Sequence, residues 1–117
     1  MGLILSVRPA GGGVLVAVSG AVDVCTEGPL QQVLLRIMRE RSARIFLDLS
    51  GVSFIDSAGL RALLITRRRA ELRGGCMRLI AASTAVRRSI ELNRADEALA
   101  REQEPGPFVL MSFAERT

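Results

Sequence analysis

The sequence contains no histidine, no lysine, no tryptophan and no tyrosine. Without histidine, Ser-His-Asp triads and histidine-based zinc sites are excluded. Without lysine, the phosphate-binding loop that ends in Gly-Lys is excluded. Aromatic residues make up 3% of the chain, all of them Phe. The core must therefore be aliphatic, and the stacking aromatics of single-strand nucleic-acid modules are missing. There are two cysteines, Cys25 and Cys76, at no spacing that suits a metal. A disulfide framework does not suit an intracellular chain, so both read as small, semi-buried apolar residues. No apolar run is long enough to span a membrane. Met1-Gly2-Leu3-Ile4 opens the chain without the basic segment and long apolar core of a signal peptide, and a cytoplasmic location is expected.

What is present suits one α/β domain. The chain has 117 residues, of which 49% are hydrophobic, enough for a single core spanning 1–117. All sixteen basic residues are Arg, and the net charge is +4. Arg61, Arg67, Arg68, Arg69 and Arg73 fall in one stretch. Such a stretch suits a nucleic-acid patch or a solvated, protein-facing surface. With no recognisable nucleic-acid module and no stacking aromatics, the second reading is preferred.

Along the chain, Leu3 to Val7 reads as a short strand, Gly11-Gly12-Gly13 as a turn and Val14 to Val18 as a second strand, together a hairpin. Ser19-Gly20 is expected to break that strand, and Asp23 to lie in a linker. Thr26-Glu27-Gly28-Pro29 looks like a helix start, with Pro29 at the first helical position. Leu30, Val33, Leu34, Ile37 and Met38 then recur on one helical face. Ile45 to Leu49 is a strand, and Ser50 to Ile55 a loop anchored in the core by Val52, Phe54 and Ile55. A helix opens at Asp56-Ser57 and is packed by Leu60, Leu63 and Leu64. Arg67 and Glu71 interrupt its face, so that end either overhangs the sheet or meets something polar. Gly74-Gly75 stops it. Met77 to Ala82 is a strand, with Ser83 or Thr84 capping a third helix that runs to about Leu92 and ends at Asn93. Ala95 to Ala100 adds a helical turn or two, and Phe108 to Met111 a last edge strand. Strands alternating with helices imply right-handed crossovers. The expected fold is a mixed, mostly parallel sheet of four to five strands, with an antiparallel N-terminal strand and three to four helices.

The most informative stretch is Asp48-Leu49-Ser50-Gly51-Val52-Ser53-Phe54-Ile55-Asp56-Ser57-Ala58-Gly59-Leu60. Ser57 at a helix start puts a hydroxyl near free backbone N–H groups, a common cap. Gly59 keeps the first turn slim enough for a partner to approach. No nucleophile elbow Gly-x-Ser-x-Gly accompanies the serine, and no base is available to activate it. No cofactor and no metal are expected.

This stretch resembles the signature of anti-sigma factor antagonists of the STAS domain family. Gly20-Ala21-Val22-Asp23 is similar to the family's Gly-Glu-Leu-Asp, although Ala21 replaces the acidic residue. Gly74 to Leu79 and Ala85 to Leu92 also fit, so the resemblance covers roughly residues 3 to 100. It implies a binding protein, a kinase substrate rather than an enzyme, in which Ser57 accepts a phosphate from a GHKL-type serine-kinase anti-sigma factor. A PP2C-like phosphatase would remove it. Asp23, Asp56, Ser57, Ala58, Gly59 and Arg61 are the implied partner-binding residues, and Ala58 leaves Ser57 as the only hydroxyl at the motif's centre. A STAS module of another partner-switching or stress-sensing complex, an anion-transporter domain and a nucleotide-binding STAS domain stay open. For the arginine cluster two roles also stay open: a partner interface including Arg67 and Arg68, or a solvated helix end.

Overall fold

In a computed structural model, residues 2–92 are described. The expected helix end at Asn93, the turn over 95–100 and the strand over 108–111 lie outside them. The chain runs β1 (Leu3–Ala10), β2 (Gly13–Val22), α1 (Glu27–Glu40), β3 (Arg44–Ile55), α2 (Ser57–Leu72), β4 (Cys76–Ala82) and α3 (Thr84–Leu92). The strands form one sheet in the order β1-β2-β3-β4. β1 is antiparallel to β2, and the remaining pairs are parallel. This is the mixed, mostly parallel arrangement that the alternation of strands and helices predicts.

The hairpin forms as expected. Gly11 and Gly12 take φ of 41° and 86°, the left-handed pair that a tight two-residue hairpin turn requires. Ser19-Gly20 does not break β2. The strand continues to Val22, with register shifts after Ala17 and Gly20. The irregularity is absorbed as bulges, which bend a strand without ending it. Ser50 to Ile55 is likewise strand, not loop. Gly51, Val52, Phe54 and Ile55 align with Ser19, Gly20, Ala21 and Val22, because the prolonged β2 offers backbone partners that a loop would forgo.

One sheet face carries the core. Val14, Val16 and Val18 of β2, Ile45, Leu47 and Leu49 of β3, and Met77 and Leu79 of β4 are buried at alternate positions. Against them lie Leu30, Leu34, Ile37 and Met38 of α1, Leu60 and Leu63 of α2, and Val86 of α3, in a single cluster. Each such side chain contributes about 1.5–3 kcal/mol on burial. The two crossovers, β2-α1-β3 and β3-α2-β4, step the same way across the sheet. With right-handed connections this puts α1 and α2 on one face.

The helix ends follow local chemistry. α1 starts at Glu27, so Pro29 is third rather than first. It remains in the first turn, where a missing N–H breaks no intrahelical bond. α2 stops where Gly74 N–H donates to Glu71 O (3.0 Å) and Gly75 N–H to Ala70 O (2.9 Å), the paired bonds of a Schellman end. Ser83 caps α3, its Oγ accepting the Val86 N–H at 3.2 Å. Of the two cysteines, Cys76 is half-buried as expected, whereas Cys25 is exposed in the β2–α1 loop.

Candidate functional site

The motif lies where β2 and β3 end and α2 begins. Asp56 N–H donates to Val22 O at 3.2 Å, which ties the start of α2 to the end of β2. Asp56 itself is extended, and its carboxylate accepts the Gly59 N–H at 2.8 Å. The N-cap of α2 is therefore Asp56, not Ser57. Ser57 is the first helical residue and is exposed. Among the described residues its hydroxyl makes no hydrogen bond. The fold leaves this residue at the surface.

Gly59 faces inward. A Cβ there would stand 2.6 Å from Val22 Cγ1 and 2.7 Å from Val22 O. Its lack of a side chain lets α2 approach β2 closely, and does not open a surface to a partner as the sequence suggests. Gly59 is buried and Ala58 half-buried, while Ser57 and Arg61 are exposed.

Asp23 follows Val22 directly and is half-buried. Its Oδ1 accepts the N–H groups of Cys25 (2.9 Å) and Thr26 (3.1 Å). Thr26 Oγ1 donates to Ala21 O at 2.8 Å and accepts the Asp23 N–H at 2.9 Å. The β2–α1 loop is thus braced by its own side chains beside the start of α2. Val24, 69% exposed, stands at its tip.

One expectation about burial is reversed, and one that stayed open is decided. Phe54 is not a core anchor: it is 49% exposed, whereas Val52 and Ile55 are buried. The bulged end of β3 puts Phe54 out of phase with the core face. With Ile55, Thr84, Ala85, Arg88 and Leu92 it lines a groove of about 450 Å³ between β3 and α3. Arg67, in turn, is not at the surface. It is 1% exposed, and its guanidinium donates to Glu71 Oε2 at 2.6 Å. The polar residue that interrupts the face of α2 meets its ion-pair partner one turn on, and the helix does not overhang the sheet there. No motif signal marked Phe54, which lies within the signature-like stretch, or Val24 as exposed. Only a large apolar residue out of step with its strand, or inside a polar loop, could have drawn attention to them.

Chemically, the site presents one unengaged hydroxyl at a helix start. The neighbouring carboxylate is held by a backbone N–H. Such a group suits modification by an enzyme that brings its own base, or contact with a protein.

The profile of the STAS domain family matches residues 5–102, and the chain belongs to that family. Its fold is similar to that of an anti-sigma factor antagonist from Mycobacterium paratuberculosis. The two share 28% identity at a TM-score of 0.72 over 93% of this chain and 85% of that one. The anti-sigma factor antagonist SpoIIAA, solved in its unphosphorylated form, is 18% identical at a TM-score of 0.59, over 76% of this chain and 83% of that one. An uncharacterized Shewanella loihica protein with a SpoIIAA-like fold is 8% identical at 0.56, over 98% of this chain and 88% of that one. The last two speak to fold alone.

Proposed function

We propose that this chain is an anti-sigma factor antagonist that works in the cytoplasm. It binds a GHKL-type serine-kinase anti-sigma factor through the surface around Ser57, and phosphorylation of Ser57 ends that binding. The observation that carries the reading is the exposed, unengaged Ser57 hydroxyl at the first position of α2, with Asp56 doing the capping. Kinship with the STAS family and likeness to a solved antagonist support it.

In the phosphoryl transfer, Ser57 Oγ bonds to the γ-phosphorus of ATP, ADP leaves, and the hydroxyl proton passes to a base on the kinase. The product carries a charge of about −1.5 to −2. At a helix N-terminus that charge is well tolerated by the fold. A partner surface closed over a neutral serine would not tolerate it, so binding is lost while structure is kept. A penalty of about 3 kcal/mol already weakens affinity more than a hundredfold. A PP2C-like phosphatase would restore the binding form.

The test is direct. Each GHKL-type anti-sigma kinase encoded in the same genome is incubated with the protein and ATP, and the phosphate is mapped by mass spectrometry. Phosphate on Ser57 alone is expected. Phosphate on Ser50 or Ser53 with Ser57 unmodified would reject the assignment.

A further inference from the structure

The exposed side of α2 carries more than Ser57. Successive residues on an α-helix turn by about 100°. Taking Ser57 as zero, Arg68, Arg61, Leu72, Ile65 and Arg69 follow within roughly a third of a turn on the same side. All six are exposed. The buried residues Gly59, Leu60, Leu63, Thr66, Arg67 and Ala70 occupy the rest of the circumference, with buried Ala62 at the border beside Arg69. A single ridge therefore runs the length of the helix from the serine.

Two properties suit this ridge to a partner. Its cations are unpaired, as are the other described arginines except Arg67. The carboxylates of α2 and its N-cap are Glu71 and Asp56, and both are engaged, by Arg67 and by the Gly59 N–H respectively. Among the described residues, Arg61, Arg68 and Arg69 make no ion pair. The ridge also carries aliphatic anchors: Leu72 is 75% exposed and Ile65 40%. Arginines spaced by apolar side chains suit a protein interface, where charge steers the encounter and buried aliphatics slow dissociation.

We infer that the α2 ridge formed by Arg61, Ile65, Arg68, Arg69 and Leu72 is a docking surface for a protein partner whose facing surface is acidic and has an apolar recess. The inference rests on the proposed function for the identity of that partner, the kinase anti-sigma factor, and on charge complementarity and continuity with Ser57 for its chemistry. It also explains the polarity of the switch. A partner that presents carboxylates to this ridge meets a phosphate at its end with repulsion. Arg67 takes no part, since it is buried.

The experiment follows association and dissociation by surface plasmon resonance. The immobilised partner is the purified GHKL-type kinase that phosphorylates the chain, tested across a salt series. The wild-type chain is compared with Arg68→Glu/Arg69→Glu, with Ile65→Ser/Leu72→Ser and with Ser57→Asp, each checked for native circular dichroism. The charge variant is expected to associate at least about 10-fold more slowly at low salt, with a flattened salt dependence. The apolar variant is expected to dissociate several-fold faster at an unchanged association rate. Unchanged kinetics in both, with binding still lost in Ser57→Asp, overturns the ridge and leaves the proposed function standing. Wild-type-like binding by Ser57→Asp overturns the proposed function, and absence of binding by the wild-type chain overturns both. A gel shift with generic duplex DNA is run in parallel. Tight binding at physiological salt that Arg68→Glu/Arg69→Glu abolishes would assign these arginines to nucleic acid and reject the protein-docking role.

Discussion

The carboxylate of Asp56 accepts the Gly59 N–H, which leaves the Ser57 hydroxyl outside the helix's own hydrogen bonding. The two neighbours should therefore respond oppositely to truncation. Asp56→Ala removes the cap and is expected to cost about 1 kcal/mol, with Asp56→Asn close to wild type because Asn caps as well. Ser57→Ala removes no bond of the fold and should stay within about 0.5 kcal/mol. Urea denaturation of the three variants checks this, and a Ser57→Ala loss equal to that of Asp56→Ala would show that the serine is the cap after all. The sequence could not divide these roles. Asp and Ser are both strong caps, and a shift of one residue in the helix start decides which is which. That Asp-Ser opens a helix was legible, and so was the cap Ser83, where Thr84 was the only rival.

At the scale of elements, periodicity located the strands and helices but not how far irregular strands run. Ser19-Gly20 and Ser50-Gly51 read as breaks because glycine and serine punctuate isolated segments. In the sheet these residues lie side by side, Ser19 aligned with Gly51, and two irregular strands complete each other. No local pattern holds that pairing. The same holds for α2, whose two unusual residues are explained only by what they touch. Gly59→Ala would drive a Cβ into Val22 and should destabilise by about 1–3 kcal/mol, read as a lower urea midpoint at unchanged slope. Arg67 is among the largest fully buried side chains. Arg67→Ala should cost about 3 kcal/mol through the space it leaves. Arg67→Met keeps the aliphatic stem and should recover much of that loss. Equal losses in both variants would mean that the charge, not the packing, holds α2 there. From sequence, periodicity put Arg67 on the packing face and Arg68 and Arg69 off it, but whether that end overhung the sheet stayed open. The docking of α2 against the sheet decides it, and Arg67 is buried.

For the whole molecule, the order of elements and the single aliphatic core were legible, because parallel strands with right-handed crossovers leave few arrangements open. On the proposed function, a modification at one corner of this architecture should act on binding alone. Ser57 is at the surface end of α2, and the core cluster begins behind it with Leu60 and Leu63. A phosphate there displaces no packed side chain and adds negative charge where the helix dipole favours it, by about 0.3–1 kcal/mol at an exposed site. In a domain of this size 1 kcal/mol moves the melting temperature by about 4–8 °C or less. The phosphorylated chain is therefore expected to melt within a few degrees of the unmodified chain, or slightly above it, with unchanged circular dichroism. Its affinity for the kinase anti-sigma factor should fall more than a hundredfold. Calorimetry on the two forms, with titration of the kinase into each, measures both quantities on one sample. A fall in melting temperature of ten degrees or more on phosphorylation would mean that the mark works by loosening the fold, and the reading of Ser57 as a surface switch would have to be given up.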